Sequence, residues 1–276
     1  MRLVLGVEQT FRSRVIFCAK CLLFASLVVL APIHRASKKH TVSLSHTKLN
    51  NPTASLISVP FQSNCGPNDD DFQYRLNLQP VIPFKLTDDW KILSRTIVTY
   101  IYQEDRIGTS SQSGLGDSTV TLWFSPDKNK PGAPIWGSDP SCNCPRPRTI
   151  YWARRNGVLA RRQSCFDNHM GGPSAPWGNT WSFAGESSRQ DVSVTFVQPF
   201  INYTTKKHTT FGFNTESTYD WENKEWTVPL NLFVTQLVKI GKMPVSFQFG
   251  GRYYGEKPSG GPDWGLRFTV TLVFPE

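Results

Sequence analysis

The chain has 276 residues, enough for one large domain or two modest ones and far too many for a disulfide mini-protein. Charged residues make up 18% and aromatics 13%, with twenty Gly and twenty Pro. That mix excludes a coiled coil, a helical bundle or a disordered charged tail and suits an all-β chain with many turns. The net charge of +9 is local: residues 1–50 carry +7, residues 138–177 carry +4 and the remainder sums to −2, which argues against a nucleic-acid partner.

The N-terminus reads as an export signal. Arg2, Arg12, Arg14 and Lys20 precede the apolar run Cys21–Ala31. Eleven residues are too few to span a bilayer as a helix, which needs about 20. A short anchor or buried core helix is the alternative, but a lone apolar helix would find no partner later in the chain. A signal peptide over 1–36, cleaved between Ala31 and Ala36, and a polar lead-in over 37–53 are therefore expected.

From there the chain alternates. Phe72, Tyr74, Leu76, Leu78, Pro80, Ile82 and Phe84 share one face; Gln73, Arg75, Asn77, Gln79, Val81 and Pro83 share the other. Phe211, Phe213, Tyr219 and Trp221 alternate with Gly212, Asn214, Glu216, Thr218 and Asp220. Val245, Phe247, Phe249 and Tyr253 alternate with Ser246, Gln248, Gly250 and Arg252, and Leu266 to Phe274 alternate with Gly265, Arg267, Thr269, Thr271 and Val273. Polar turns separate the runs, among them Gly66–Asp69, Leu86–Asp89, Trp221–Lys224 and Ser259–Asp263. Alternating segments of about ten residues joined by polar turns, with aromatics such as Trp90, Tyr100, Trp226 and Trp264 at their ends, are the pattern of an antiparallel transmembrane β-barrel. A soluble β-sandwich also alternates. In a barrel, however, Arg75, Glu216 and Arg252 face a wet lumen, whereas in a sandwich they are ordinary surface.

Several stretches, in order, resemble one outer-membrane family, the transporters named for the MetA pathway of phenol degradation. They are Ala54–Asn64, Gly66–Asp70 with Leu76–Phe84, Gly114–Asp117, Trp181–Gly185, Gln198–Phe200, Asn214–Trp221 and Trp264–Phe268, covering about 54–137 and 178–276. The resemblance implies a signal-bearing outer-membrane barrel of about 12 strands, over 54–276, that passes small hydrophobic or aromatic solutes. It also implies a lipid bilayer and the outer-membrane assembly machinery as partners, with no cofactor. Asn64-Cys65-Gly66 lacks the short aromatic stretch the family usually carries before its Gly-Pro-Asn-Asp turn, which predicts a shortened first hairpin.

Residues 138–177 break the alternation. Cys142, Cys144, Cys165 and His169 offer a zinc reading, but a C-x-C pair is tighter than the usual knuckle and twenty residues separate the halves. A disulfide is also open to them in an oxidising compartment. Read one nucleotide earlier, the codons allowed for Gly137–Asn168 yield strand-like apolar runs, and Pro173–Trp177 then lead into Trp181–Gly185. The segment thus reads as a compensated frameshift that replaces about two and a half strands, leaving an irregular loop and an incomplete or distorted barrel.

The function expected is passive passage through the outer membrane of a Gram-negative bacterium, with Arg75, Asn77, Gln79, Asn214, Glu216, Arg252 and Arg267 as lumen candidates. For each, structural hydrogen bonding is the plainer role. A lipid-modifying enzyme would need a nucleophile with a positioned His. Of the five histidines, His34, His40 and His46 lie in the leader, His169 lies in the irregular segment, and His208 alone adjoins a regular strand. Elemental analysis of the purified protein is expected to find no stoichiometric zinc; one zinc per chain, lost on replacing Cys142 and Cys144 by Ser, would refute this.

Overall fold

The computed structural model describes residues 56–68, 71–104, 111–126, 135–144, 157–167, 177–185, 192–205, 209–241 and 243–274. Alternation written over ten or more residues becomes long antiparallel strands, and fifteen strand segments follow one another in chain order. They are β1 (Ile57–Asn68), β2 (Asp71–Leu78), β3 (Val81–Lys85), β4 (Trp90–Gln103), β5 (Gln112–Pro126), β6 (Ile135–Cys144), β7 (Gly157–Asp167) and β8 (Trp177–Gly185). The rest are β9 (Ser193–Val197), β10 (Phe200–Thr204), β11 (Thr209–Thr215), β12 (Ser217–Asp220), β13 (Glu225–Ile240), β14 (Met243–Glu256) and β15 (Trp264–Phe274).

Three pairs of segments are single staves with a local break. β2 and β3 keep one register against β4, with Gln73 opposite Gln103 and Val81 opposite Arg95. β9 with β10 and β11 with β12 likewise form one hairpin in unbroken register. Proline explains two of the breaks: Pro80 and Pro199 have no N–H to give to a ladder. Their carbonyls still accept, from Thr96 N at 3.1 Å and Thr215 N at 3.1 Å, so each stave stays in the sheet.

Counted this way, the described chain has twelve staves, and each is bonded to a neighbour on both sides. Consecutive staves pair from β1 round to β15, and β15 pairs back onto β1, with Ile57 opposite Phe274 and Cys65 opposite Leu266. The sheet is a closed antiparallel barrel of the expected strand number, and the sandwich alternative, which needs two separate sheets, is overturned.

The expectation of an irregular 138–177 segment, and with it of an incomplete or distorted barrel, is corrected for the described parts, 138–144 and 157–167, which are strands. β6 pairs with β5, and β7 pairs with both β6 and β8. The β5–β6 ladder runs from Ser118 opposite Cys144 to Thr121 opposite Ser141 and is taken up again at Phe124 opposite Ser138. The physical reason is that pairing uses backbone groups, which every residue but proline carries in full, and without β6 and β7 the facing edges of β5 and β8 would be left unpaired. Residues 145–156 and 168–176, the expected signal peptide and lead-in, His208, and the side chains of Cys142, Cys144, Cys165 and His169 lie outside the described residues.

Burial is inverted relative to a soluble protein. Asn231 is 4% exposed, while Leu232 beside it is 66% exposed. Cross-strand registers carry this parity around the sheet, so Leu232, Phe213, Phe249, Tyr203 and Phe84 share the outward face with the other exposed apolar residues. Over β1, β2, β14 and β15 the same outward face is packed into two clusters, Cys65 with Phe72 and Tyr74, and Val245 with Val270 and Leu272. Apart from Ser63, the buried polar residues described face inward: Gln79, Lys91, Gln103, Thr121, Ser125, Thr210, Asn231 and Thr269.

Phe233 is an inward-facing exception that needs a glycine beside it. In the cross-strand row Asn202, Gly212, Phe233, Gly250, the ring lies flat over Gly212. A Cβ there would sit 2.1 Å from Phe233 Cζ and 2.5 Å from Asn202 Oδ1. Gly212→Val is expected to destabilise the barrel by about 1–3 kcal/mol, the usual cost of overpacking. The temperature at which the folded band converts on a gel should fall accordingly, and adding Phe233→Ala should recover part of the loss.

Candidate functional site

Parity places one side chain in two on the inner wall, and register decides which of them meet. Asn214, Asn231 and Arg252 are direct cross-strand partners on β11, β13 and β14. Asn231 Nδ2 donates to Asn214 Oδ1 at 2.7 Å, and Arg252 Nε donates to Asn231 Oδ1 at 2.6 Å. Arg252 also donates from Nη1 to Tyr254 Oη at 3.3 Å, with its guanidinium 5.8 Å from the Tyr254 ring centre. Its Nη2 binds Glu216 Oε2.

Glu216 stands at the break between β11 and β12 and reaches two staves at once. Besides Arg252, it holds Arg267 of β15 in a two-pronged pair, Nη1 to Oε1 at 2.9 Å and Nη2 to Oε2 at 3.1 Å. Such a fork fixes orientation as well as charge. Arg267 Nε then donates to Asn64 Oδ1 at 2.9 Å, across the closure between the last strand and the first. Asn64 also receives Gln62 Nε2 at 3.3 Å, Gln79 Nε2 donates to Gln62 Oε1 at 3.1 Å, and Arg95 Nη2 donates to Gln79 Oε1.

The result is one unbroken belt of side-chain hydrogen bonds, Asn214–Asn231–Arg252–Glu216–Arg267–Asn64–Gln62–Gln79–Arg95. It crosses seven consecutive staves from β11–β12 to β4, over half the circumference. Its middle is mostly buried: the side chains of Arg252, Arg267 and Glu216 are 18%, 14% and 25% exposed.

Of the seven lumen candidates, the structure brings five into this belt: Gln79, Asn214, Glu216, Arg252 and Arg267. Arg75 lies beside it, opposite Asn64 and Ile101, exposed and donating to Gln73 Oε1 at 3.4 Å. Asn77 lies opposite Gln62 and leaves its Oδ1 buried without a hydrogen-bond partner. Sequence reasoning missed Gln62, Asn64, Arg95, Asn231 and Tyr254. Asn231 lies between Leu230 and Leu232, but the same strand carries a second amide at Gln236, so composition does not single Asn231 out.

No family model and no curated protein matches the chain. Among solved structures, it is similar to the COG4313 outer membrane channel from Pseudomonas putida F1, at 15% identity and a TM-score of 0.59, covering 87% of this chain and 100% of that one. It overlaps more loosely with the NanC porin, at 9% identity and a TM-score of 0.44 over 80% of this chain and 100% of that one. For the transport unit of the autotransporter AIDA-I from Escherichia coli the values are 8% and 0.42, over 92% and 97%. At these identities the first likeness is one of fold, a closed barrel laid out as the registers above describe.

Removing one partner from a mostly buried ion pair strands the other. Arg267→Ala, which takes contacts from both Glu216 and Asn64, is expected to cost about 3 kcal/mol, the lower end of that penalty because the inner wall is partly wet. Arg95→Ala, at the belt's end, should cost less. The folded-band conversion temperature of each purified variant measures the difference.

Proposed function

We propose that the protein is a passive outer-membrane β-barrel channel for small solutes. The observation that carries this reading is the inverted burial, with Leu232, Phe249 and Tyr203 turned outward and Asn231, Gln79 and Thr269 turned inward around a closed sheet. A closed ladder satisfies every stave's backbone without water, which is what lipid requires. Staves of 14 to 16 residues in β4, β13 and β14 exceed the 9–11 tilted residues that cross a bilayer. The fold-level likeness to an outer membrane channel supports the same reading.

Export through the inner membrane by the N-terminal signal, insertion by the outer-membrane assembly machinery, and passage of small hydrophobic or aromatic solutes follow from the MetA-pathway resemblance. In this reading Arg75, Asn77, Gln79, Asn214, Glu216, Arg252 and Arg267 line the pore. The chemistry is selection by width, polarity and charge, with no bond made or broken. The protein is expected to fractionate with the outer membrane, to migrate differently before and after boiling, and to give stepwise ion currents in a planar bilayer. Recovery as a soluble periplasmic monomer would overturn the channel.

A further inference from the structure

We infer that Arg252 and Arg267 form a carboxylate-binding station on the inner wall, and that Glu216 is its resident, exchangeable occupant. The inference rests on the channel reading and names the solute class that the wall would favour: small monocarboxylates.

Three observations carry it. First, the two guanidiniums are anchored independently of Glu216. Arg252 is fixed through Nε to Asn231 and Arg267 through Nε to Asn64, and both residues sit in continuous ladders of β14 and β15. Removing the carboxylate leaves each base held on another contact. Second, Glu216 stands at a one-residue break in its stave. It lies between β11 and β12, outside both, and near the register irregularity at Val228/Pro229 of β13. Third, two guanidiniums against one carboxylate leave a net charge of +1. A guanidinium has five N–H groups. Arg252 uses three of them, on Asn231, Tyr254 and Glu216, and Arg267 uses three, on Asn64 and the two oxygens of Glu216. Counted over the described residues, two remain on each for a second carboxylate.

The arrangement meets a requirement of any selective pore, that a solute be attracted enough to enter and held weakly enough to leave. Two arginines alone would retain a carboxylate. With Glu216 present, an arriving carboxylate takes up the remaining N–H groups, competes for the shared ones, and is displaced when Glu216 returns.

The test uses the full chain in planar bilayers under a potassium acetate gradient, with heat-modifiable migration confirming each barrel. Glu216→Gln is expected to raise acetate permeability relative to potassium several-fold and to make acetate current saturate at a lower concentration. Arg252→Gln with Arg267→Gln should bring acetate permeability down to or below that of potassium. Should either of these fail to fold, Arg267→Lys retains the charge and loses the fork. It is then expected to weaken acetate saturation while the chloride-to-potassium ratio stays near wild type. Folded Glu216→Gln with unchanged reversal potential and saturation overturns the station and leaves the channel standing, as does an unchanged Arg267→Lys. Absence of any current from the wild-type barrel overturns the channel and the station together.

Discussion

Backbone hydrogen bonding, closed into a ring, is the constraint on which everything else in this molecule depends. A strand edge facing lipid has no water to turn to, so every stave must have two partners. The pairing of β15 with β1 meets that demand for residues at opposite ends of the barrel sequence. The same demand explains why β6 and β7 are strands although their side chains follow no alternation. Two prolines outside the ladder still serve it: Pro80, between β2 and β3, and Pro199, between β9 and β10, each accept through the carbonyl although they have no N–H to give.

Closure turns a local parity into a global one. Once the ring is shut, one face of every stave looks inward, and cross-strand partners at 4.5–5.5 Å become the units of interaction. The belt from Asn214 to Arg95 is the consequence. None of its members is polar for the sake of solvent exposure; each is held by the next. Glu216 is the exception in reach, because a residue released from the ladder can turn toward two staves, and it draws Arg252 and Arg267 onto one carboxylate. Two positive charges and one negative charge are thereby gathered at one level of the inner wall.

Arg75 and Arg252 show how far strand patterns carry an argument. Both are arginines on the polar face of an alternating run, and alternation treats them alike. Arg75 lies opposite Asn64 and Ile101, is exposed and donates to Gln73, while Asn64 accepts from Arg267 and Gln62. Arg252 lies opposite Asn231 and within reach of Glu216 and Tyr254, so it is largely buried. Asn64, Asn231 and Arg95 were illegible for the converse reason. Nothing in β1, β4 or β13 alone marks one amide or guanidinium as a link between two distant staves.

Alternation by itself determined the all-β class, the inner and outer sides of four stretches of the wall, and five members of the belt, because period two is a property of each strand read alone. It misjudged 138–144 and 157–167, since side-chain pattern was used where backbone pairing decides. Only the tertiary structure decided the register, and with it the twelve-stave closure, the joining of Arg267 to Asn64 across 203 residues, and the meeting of two arginines on one glutamate. Register is a relation between strands, set by their mutual fit around a ring, and a single strand's sequence does not contain it.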